Sequence, residues 1–344
     1  MRARNAISRI GIRVLDLTLA GALACGGESP TAPASGIDAR SASHPNIHRI
    51  ELGTLGGLTS SASAINDDGV VVGQSQIASG ELHGFRWTQA GGMQDLGPGG
   101  GPRAINTAGY MVGSGTAGMV VWNPDGSVLA SISRPGFFLT PVGISDAGVV
   151  AGNASPVSGG EPSLFTWTAA GGMVPLDLGA GVFALEAMNH NGDLVGGRFV
   201  GADDIPTWFL STGTTPSQLL PPRGIPLAVN DLRQAVGLDQ DQNAAASTPA
   251  GTPALGPLVG QPNGINNSGV VVGLYTASKG HGTGNPRLLD FHAYMSSART
   301  GFIDLGSGIA SAVNANGTIA GEAFTINKHT DQHAVIWTTG HSAR

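Results

Sequence analysis

The chain has 344 residues, of which 12% are charged, and its formal net charge is −6. Nucleic-acid binding requires clustered Lys and Arg, so a chain with only two lysines and a negative charge argues against a nucleic-acid partner. A single cysteine excludes a disulfide within the chain, and 55 glycines indicate many tight turns.

Residues 1–24 have the features of an export signal. Four arginines precede a short apolar stretch, Leu17–Ala24. Cys25 follows directly, and we predict that it is the acylated residue of a bacterial lipoprotein. Ala22-Leu23-Ala24 also fits ordinary signal-peptide cleavage, in which case the protein is secreted without a lipid.

Residues 25–44 are rich in Ser, Pro, Ala and Gly, which predicts a disordered tether. Residues 45–344 are predicted to form one folded domain. No later segment approaches the roughly 18 apolar residues that a membrane helix requires. We therefore expect an exported protein held at the cell envelope, the outer membrane or the cell surface by its N-terminal lipid alone.

One pattern occurs seven times in the remainder: a small or aliphatic residue, Asn or Ser, a turn, and an apolar strand that ends in Gly. The first copy is Ala64–Gly73, and the others begin at Ile105, Ile144, Met188, Val229, Ile265 and Val313. Successive copies are 36 to 48 residues apart, and a period of about 40 is typical of one propeller blade. The repeat predicts an all-β chain, a β-propeller of about seven four-stranded blades, although the spacing also admits six or eight.

The turn of each copy has a physical interpretation. The Asn side chain is expected to accept a hydrogen bond from the backbone two residues on, and the glycine after the turn is expected at positive φ. In the fifth unit Arg233 replaces that glycine, which predicts a different turn and the least stable blade. The glycine that ends the strand, such as Gly73, allows neighbouring backbone to approach closely.

Two later strands complete each unit. A third strand carries an aromatic residue in five units, and a fourth ends in Asp-Leu-Gly at Asp95, Asp177 and Asp304. We expect these Asp side chains to accept hydrogen bonds from backbone amides of a neighbouring turn. Equivalent histidines stand on the third strand at His83, His292 and His333. Since one active site needs one base, their recurrence favours a structural hydrogen bond between strands over catalysis.

The remaining candidate sites are weak. Asp239–Asn243 has the alternating oxygens of a calcium loop, but Ala244 and Ala250 replace the glycine and glutamate of that motif, so a solvated turn is favoured. Asp203 and Asp204 have no visible partner. No nucleophile elbow, phosphate loop or zinc motif occurs. We predict no catalytic residue, no metal and no cofactor; the insertion at 275–290, with Lys279, His281 and Arg287, is the candidate binding surface.

The first unit resembles the bacterial HAF repeat, named for a His-Ala-Phe stretch on its third strand. The residues that carry the resemblance are Glu51–Gly57, Ala64–Gly73, His83-Gly84-Phe85 and Gly92–Gly97. The resemblance covers about residues 48–340 and is blurred in the fifth unit. The resemblance implies an exported propeller-like protein of unassigned biochemistry, and it identifies no catalytic residues in this chain.

The ends of the repeat region predict how the propeller closes. No Asp-Leu-Gly strand follows Trp337, whereas residues 47–53, ending in Glu51-Leu52-Gly53, precede the hairpin of the first unit. We predict antiparallel pairing of residues 47–53 with residues 333–338, because this supplies the missing strand and leaves no open edge.

These features favour a monomeric binding or scaffold protein with an unknown protein or polysaccharide ligand. The alternative is a propeller hydrolase or lyase that acts on envelope polysaccharide. Carboxylates or histidines that converge on one ligand in the central funnel would favour the enzyme. A funnel lined by Gly, Ser and Thr would favour binding.

Overall fold

The computed structural model describes residues 47–179, 181–198, 205–213, 218–276, 291–324 and 332–339. The chain divides into two compact bodies, and all of these residues belong to one of them, Pro45–Val200 with Ile205–Arg344. Cys25, the tether, Asp203-Asp204 and residues 277–290 of the insertion lie outside the described residues, so the predictions about them stay predictions.

The described residues form strands and no helix, so they contain no helix that could cross a membrane. β1 (Ile47–Gly53) precedes three separate four-stranded antiparallel sheets. The first sheet contains β2 (Gly56–Ile65), β3 (Val71–Ile77), β4 (Leu82–Thr88) and β5 (Gly92–Pro98). The second contains β6 (Gly101–Ile105), β7 (Met111–Gly115), β8 (Gly118–Trp122) and β9 (Val128–Ile132). The third contains β10 (Phe137–Ile144), β11 (Val150–Pro156), β12 (Ser163–Thr168) and β13 (Gly172–Pro175).

The later units are joined in pairs, because one long strand serves two units. Units four and five contain β14 (Val182–Met188), β15 (Leu194–Arg198), β16 (Thr207–Ser211), β17 (Gln218–Val229), β18 (Ala235–Asp239) and β19 (Ala244–Ser247). Units six and seven contain β20 (Gln261–Ile265), β21 (Val271–Thr276), β22 (Phe291–Ser297), β23 (Gly301–Val313), β24 (Ile319–Phe324) and β25 (Gln332–Thr339). The first half of β23 pairs with β22 and its second half with β24. β17 divides in the same way between β16 and β18.

The units pack through their first strands. The first strands of successive units contact one another, and β23 of the last unit contacts β2 of the first. Apolar side chains fill the space between neighbouring units: Val70 and Val72 of the first unit pack with Ile105, Met111 and Trp122 of the second. Four-stranded antiparallel sheets packed in this way are the arrangement of a β-propeller, so the coarser prediction of an all-β, propeller-type fold is confirmed.

β1 pairs antiparallel with β25, as predicted from the ends of the repeat region. Ile50 lies opposite Ile336, and Glu51 lies opposite Val335. Asp95 lies opposite Phe85 in the first unit, at the same place in the ladder. Glu51-Leu52-Gly53 therefore occupies, in the seventh unit, the position that Asp-Leu-Gly occupies in the first.

The hairpin turns have the predicted geometry, with one correction. The amide of Gly69 donates to the carbonyl of Asn66 (3.0 Å), and Gly69 has φ +76°. The Asn66 side chain accepts from the amide of Val70, four residues on (2.9 Å). The predicted donor two residues on is present at Asn230 and Asn266, whose side chains accept from Leu232 (3.1 Å) and Ser268 (3.0 Å) in addition to the amide four residues on.

The prediction of a different turn in the fifth unit is wrong. The amide of Arg233 donates to the carbonyl of Asn230 (3.0 Å), as the glycine does elsewhere, and Arg233 adopts φ +61°. Its guanidinium Nε donates to the buried carboxylate of Asp193 in the fourth unit (3.1 Å). This ion pair helps to hold an arginine in a backbone conformation that is otherwise unfavourable for it.

Candidate functional site

The turn asparagines form a nearly continuous circle of hydrogen bonds between units. Each side-chain amide donates to the main-chain carbonyl of the equivalent residue in the next unit, and the last, Asn314, donates to Asn66 (3.0 Å). The donors are Asn66, Asn106, Asn189, Asn230, Asn266 and Asn314. We call these residues, with Ser145, the asparagine ring. Ser145 lacks the amide, and there the backbone amide of Asp146 donates to the carbonyl of His190 instead (2.9 Å).

The asparagine ring is the result of the repeat itself. Each asparagine also uses its side-chain oxygen to accept a backbone amide of its own turn, such as that of Val270 on Asn266 (3.0 Å). Because the side chains are buried and bonded on both sides, they hold neighbouring units together. They are not available as catalytic groups.

A cavity of about 190 Å³ lies where six of the seven units meet at the asparagine ring. Its apolar wall is formed by residues that precede the asparagines, including Ile65, Ile105 and Ile265. Its polar lining consists of Asp67, Arg103, Asn189, His190, Asn230, Asp231, Asn266, Asn267 and Asn314. Two carboxylates and one histidine (Asp67, Asp231 and His190) line this cavity, which is the feature expected of an enzyme. The asparagine amides around them are not the Gly, Ser and Thr lining expected of a binding funnel.

The residues that directly follow the ring form a second layer of contacts. The amide of Thr107 donates to Asp146 (3.0 Å), that of His190 to Asp231 (3.0 Å) and that of Ala315 to Asp67 (2.8 Å). Each of these three carboxylates thereby links two neighbouring units.

His190 and Asp231 form the charged pair of the cavity. The His190 Nδ1 atom lies 3.5 Å from Oδ2 of Asp231. The same Oδ2 atom accepts a hydrogen bond from the side-chain amide of Asn267 (3.0 Å). The hydrogen bond to Asp231 raises the pKa of His190, although burial opposes it, and the charges of Asp146 and Asp67 add to the rise. The hydrogen bond from His190 lowers the pKa of Asp231 to about 2, against the effect of burial. Each member of the pair therefore favours the charged form of the other.

Two charged residues break the symmetry of the units. Arg103 of β6 and Glu186 of β14 occupy the β-bulge of their first strands. The equivalent positions are uncharged: Ser63, Val142, Leu227, Asn263 and Ser311. Burial raises the pKa of Glu186 to about 7, and the charge of Arg103 opposes that rise. The sequence analysis missed both residues, although the position two residues before the start of each repeat would have revealed them.

The recurring histidines lie away from this cavity and have the structural role predicted for them. The Nδ1 atom of His83 lies 2.8 Å from Asp95, and that of His292 lies 3.0 Å from Asp304. His333 faces Glu51 across β25 and β1 at 3.5 Å. Each pair joins a third strand to a fourth strand.

The Asp-Leu-Gly carboxylates also accept backbone amides, but from the glycine of the same motif and not from a neighbouring turn as predicted. Gly97 donates to Asp95 (2.7 Å), Gly179 to Asp177 (2.8 Å) and Gly306 to Asp304 (2.8 Å). These aspartates are therefore structural.

The loop at Asp239–Asn243 is a tight turn. The Asp239 side chain accepts the amides of Asp241 and Asn243 (both 2.9 Å), and Gln242 adopts φ +64°. In the described part of the chain, no group of three or more His, Cys, Asp or Glu side chains could hold a metal ion. The solvated-turn interpretation fits this geometry.

A second cavity, of about 280 Å³, lies between the first and second units. It is bordered by apolar residues such as Leu96, Val120 and Trp122, and no titratable side chain lines it. The cavity at the asparagine ring is therefore the candidate site.

Comparison with known proteins assigns no family. No family model matches the chain, and no curated protein matches it. Among solved structures the chain is similar to the Dos1 propeller, with a TM-score of 0.47 and 10% identity over 85% of this chain and 95% of that one.

Two further solved structures are similar to a comparable degree. XC5397, a gluconolactonase from Xanthomonas campestris, has a TM-score of 0.44 and 10% identity over 86% of this chain and 90% of that one. TolB from Acinetobacter baumannii has a TM-score of 0.44 and 13% identity over 75% of this chain and 66% of that one. At these identities and scores, the likeness assigns no activity to this chain.

Proposed function

We propose that the protein is an exported HAF-repeat protein that acts as a monomeric binding or scaffold module at the cell envelope. Its domain is a seven-bladed propeller closed by β1. Three observations support this architecture: seven repeat units, the β1–β25 ladder, and the hydrogen bond from Asn314 back to Asn66.

The observation that carries the binding role is the chemistry of the asparagine-ring cavity. Its amides are engaged between units, and its carboxylates Asp67 and Asp231 accept backbone amides of neighbouring units. A cavity of fixed hydrogen-bonding groups with an apolar wall suits recognition of a polar ligand. The ligand is a protein or polysaccharide group small enough to enter it, and nucleic acid is not a partner.

Binding can be tested with residues 45–344 on a polysaccharide and peptide array, with binding and turnover read separately. Arg103→Ala should weaken binding of the ligand found, because Arg103 lines the cavity. Arg299→Ala is the matched control, since Arg299 is exposed and is not among the residues that line the cavity. Equal binding by all three proteins would contradict a role for this cavity.

The lipid anchor rests on Cys25 and the tether that follows it. Expression with labelled palmitate should mark the protein, and Cys25→Ser should abolish the label. A mature N-terminus with an unmodified Cys25 would instead mean that the protein is cleaved and secreted without a lipid.

A hydrolase or lyase acting on envelope polysaccharide is the second candidate. Two observations favour it. Asp67, Asp231 and His190 line one cavity. Glu186 stands two residues before the cavity residue Met188 on β14, and burial raises its pKa to about 7, so it can exchange a proton at neutral pH. If the array reveals turnover, Glu186→Gln should abolish it while the folded protein still binds. Turnover that survives this substitution would exclude Glu186 as the acid or base.

A further inference from the structure

The fifth unit has three paired strands where the others have four. Its strands are the second half of β17, then β18 and β19. After β19, Thr248 and Gly251 exchange backbone hydrogen bonds (2.7 and 3.0 Å), so the chain turns as if to begin a fourth strand. Within the described ranges, however, no strand pairs with the outer side of β19.

The sequence explains why this strand does not form. Residues 251–257 align with Gly92–Pro98 of the first unit, with Leu-Gly-Pro in common. Pro253 stands at the position of Gln94 and has no amide to donate to a ladder. The segment lies instead where the fifth and sixth units meet. The Ser296 hydroxyl donates to the carbonyl of Pro257 (2.6 Å), and Leu255 packs against the cluster of Val236, Ile265 and Val271, as Ala246 of β19 also does.

The edge that remains is short, since β19 has four residues, but it carries no lysine, proline or bulge. Residues Ala244, Ala245 and Ala246 are partly exposed, and the pairing of β19 with β18 contains no bulge. Natural edge strands are commonly protected by proline, lysine or a bulge, because unpaired amides and carbonyls recruit other strands.

The seventh unit shows how such an edge is completed. Its third strand, β25, is covered by β1, which comes from the other end of the domain sequence and pairs antiparallel with it. A fourth strand can thus be supplied by a segment that does not follow the third. At β19, the carboxylates of Asp239 and Asp241 flank the end at which the strand begins.

We propose that the outer edge of β19 binds an extended segment of a partner polypeptide by antiparallel strand addition. Main-chain hydrogen bonds supply the affinity, and the small alanine side chains admit many sequences. Because the pairing is antiparallel, the C-terminal end of the partner segment lies beside Asp239 and Asp241. A Lys or Arg at that end is therefore preferred.

The probe is a labelled peptide that reproduces residues 47–53 followed by two lysines, titrated into the complete protein by fluorescence anisotropy. The same peptide ending in two glutamates should bind more weakly, and a version with prolines at alternate positions should not bind. Amide chemical shifts should change at residues 244–247. No binding, or shifts confined to β25, would overturn the proposal.

Two charge variants supply a matched test. Asp241→Lys should weaken binding of the lysine peptide by about two- to fivefold, the scale of an exposed charge pair. The turn itself should survive, because the Asp241 backbone amide makes the bond to Asp239. Asp68→Lys is the control, since Asp68 is an exposed acid of the first unit. Equal effects of both variants would overturn recognition at this edge.

Discussion

At the scale of single residues, the repeated glycine of each second strand determines how closely the first and second strands approach. The sequence predicted that this glycine ends the strand, but it is the third residue of strands that continue beyond it, such as β3 and β24. A Cβ atom on Gly73 would lie 2.0 Å from the carbonyl oxygen of Ser61, and one on Gly321 would lie 2.0 Å from that of Ile309. In several units an aromatic ring of the third strand also lies over this glycine, as Phe85 does over Gly73 and Tyr294 over Gly273. These glycines are therefore requirements of packing.

Gly73→Ala should destabilise the domain by about 1–3 kcal/mol, because the added methyl group forces the backbone of β2 to move. Gly100→Ala is the control: there the nearest atom is the Ser114 Cβ at 3.4 Å, an ordinary contact. Chemical denaturation of both variants measures the difference. Equal stabilities would contradict the close-packing account.

Gly69→Val tests the positive φ of the turns. The position has no atom within 4 Å of a new Cβ, so a cost would come from backbone strain at φ +76° and not from crowding. We expect a loss of about 1–3 kcal/mol. An unchanged melting temperature would mean that the turn relaxes without strain.

Glu322 makes stability depend on pH. Burial between β24 and the first unit raises its pKa above the usual 4.5, although a hydrogen bond from Ser61 opposes that rise. Its contribution is therefore fully present below pH 4.5 and is lost as pH rises through the higher pKa of the folded state. Glu322→Gln should be more stable than wild type at about pH 8 and equal to it at about pH 4. A difference that does not vary with pH would contradict the burial of an ionisable group here.

At the scale of elements, the fifth unit is predicted to be the least stable. Its third strand has Ala245 and Ser247 where the first unit has Phe85 and Trp87, and its fourth strand is unpaired among the described residues. Hydrogen exchange should find residues 225–260 opening first, because few aromatic contacts and few ladder bonds hold them. Uniform protection across the units would contradict this order.

The accuracy of the sequence predictions depends on how local each feature is. The hairpin turns, the structural role of the recurring histidines and β1 were predictable, since each depends on a short pattern or on a strand missing from one unit. The aspartate partners of the histidines were not predicted. The third strand of the fourth unit, with Trp208 and Phe209, was missed because Ser211 stands where the first and third units have Trp87 and Trp167. The turn at Arg233 was mispredicted because its support, Asp193, lies in another unit. The cavity was not predictable, since only the packed units bring Arg103 and His190 together.

At the scale of the whole molecule, the asparagine ring links units that are far apart in sequence. Ser145 is the one member without an amide. Ser145→Asn should place a donor toward the carbonyl of Asn189 and stabilise the domain by about 1 kcal/mol. Ser145→Asp is the matched control, because it keeps the acceptor for the Val149 amide but adds no donor. If the Asn variant is no more stable than the Asp variant, the bonds of the ring do not contribute to stability.

The central claim is that seven units form one ring closed by β1. If β1 completes the seventh unit, removing it exposes the edge of β25 and uncovers Ala334 and Ile336, which pack with Leu52. Thermal unfolding of the protein without residues 44–53 tests this most directly, with a deletion of residues 26–43 as the control. We expect the first deletion to lower the melting temperature of the whole domain and the second to leave it unchanged. A first deletion that melts at the wild-type temperature would contradict the closed ring.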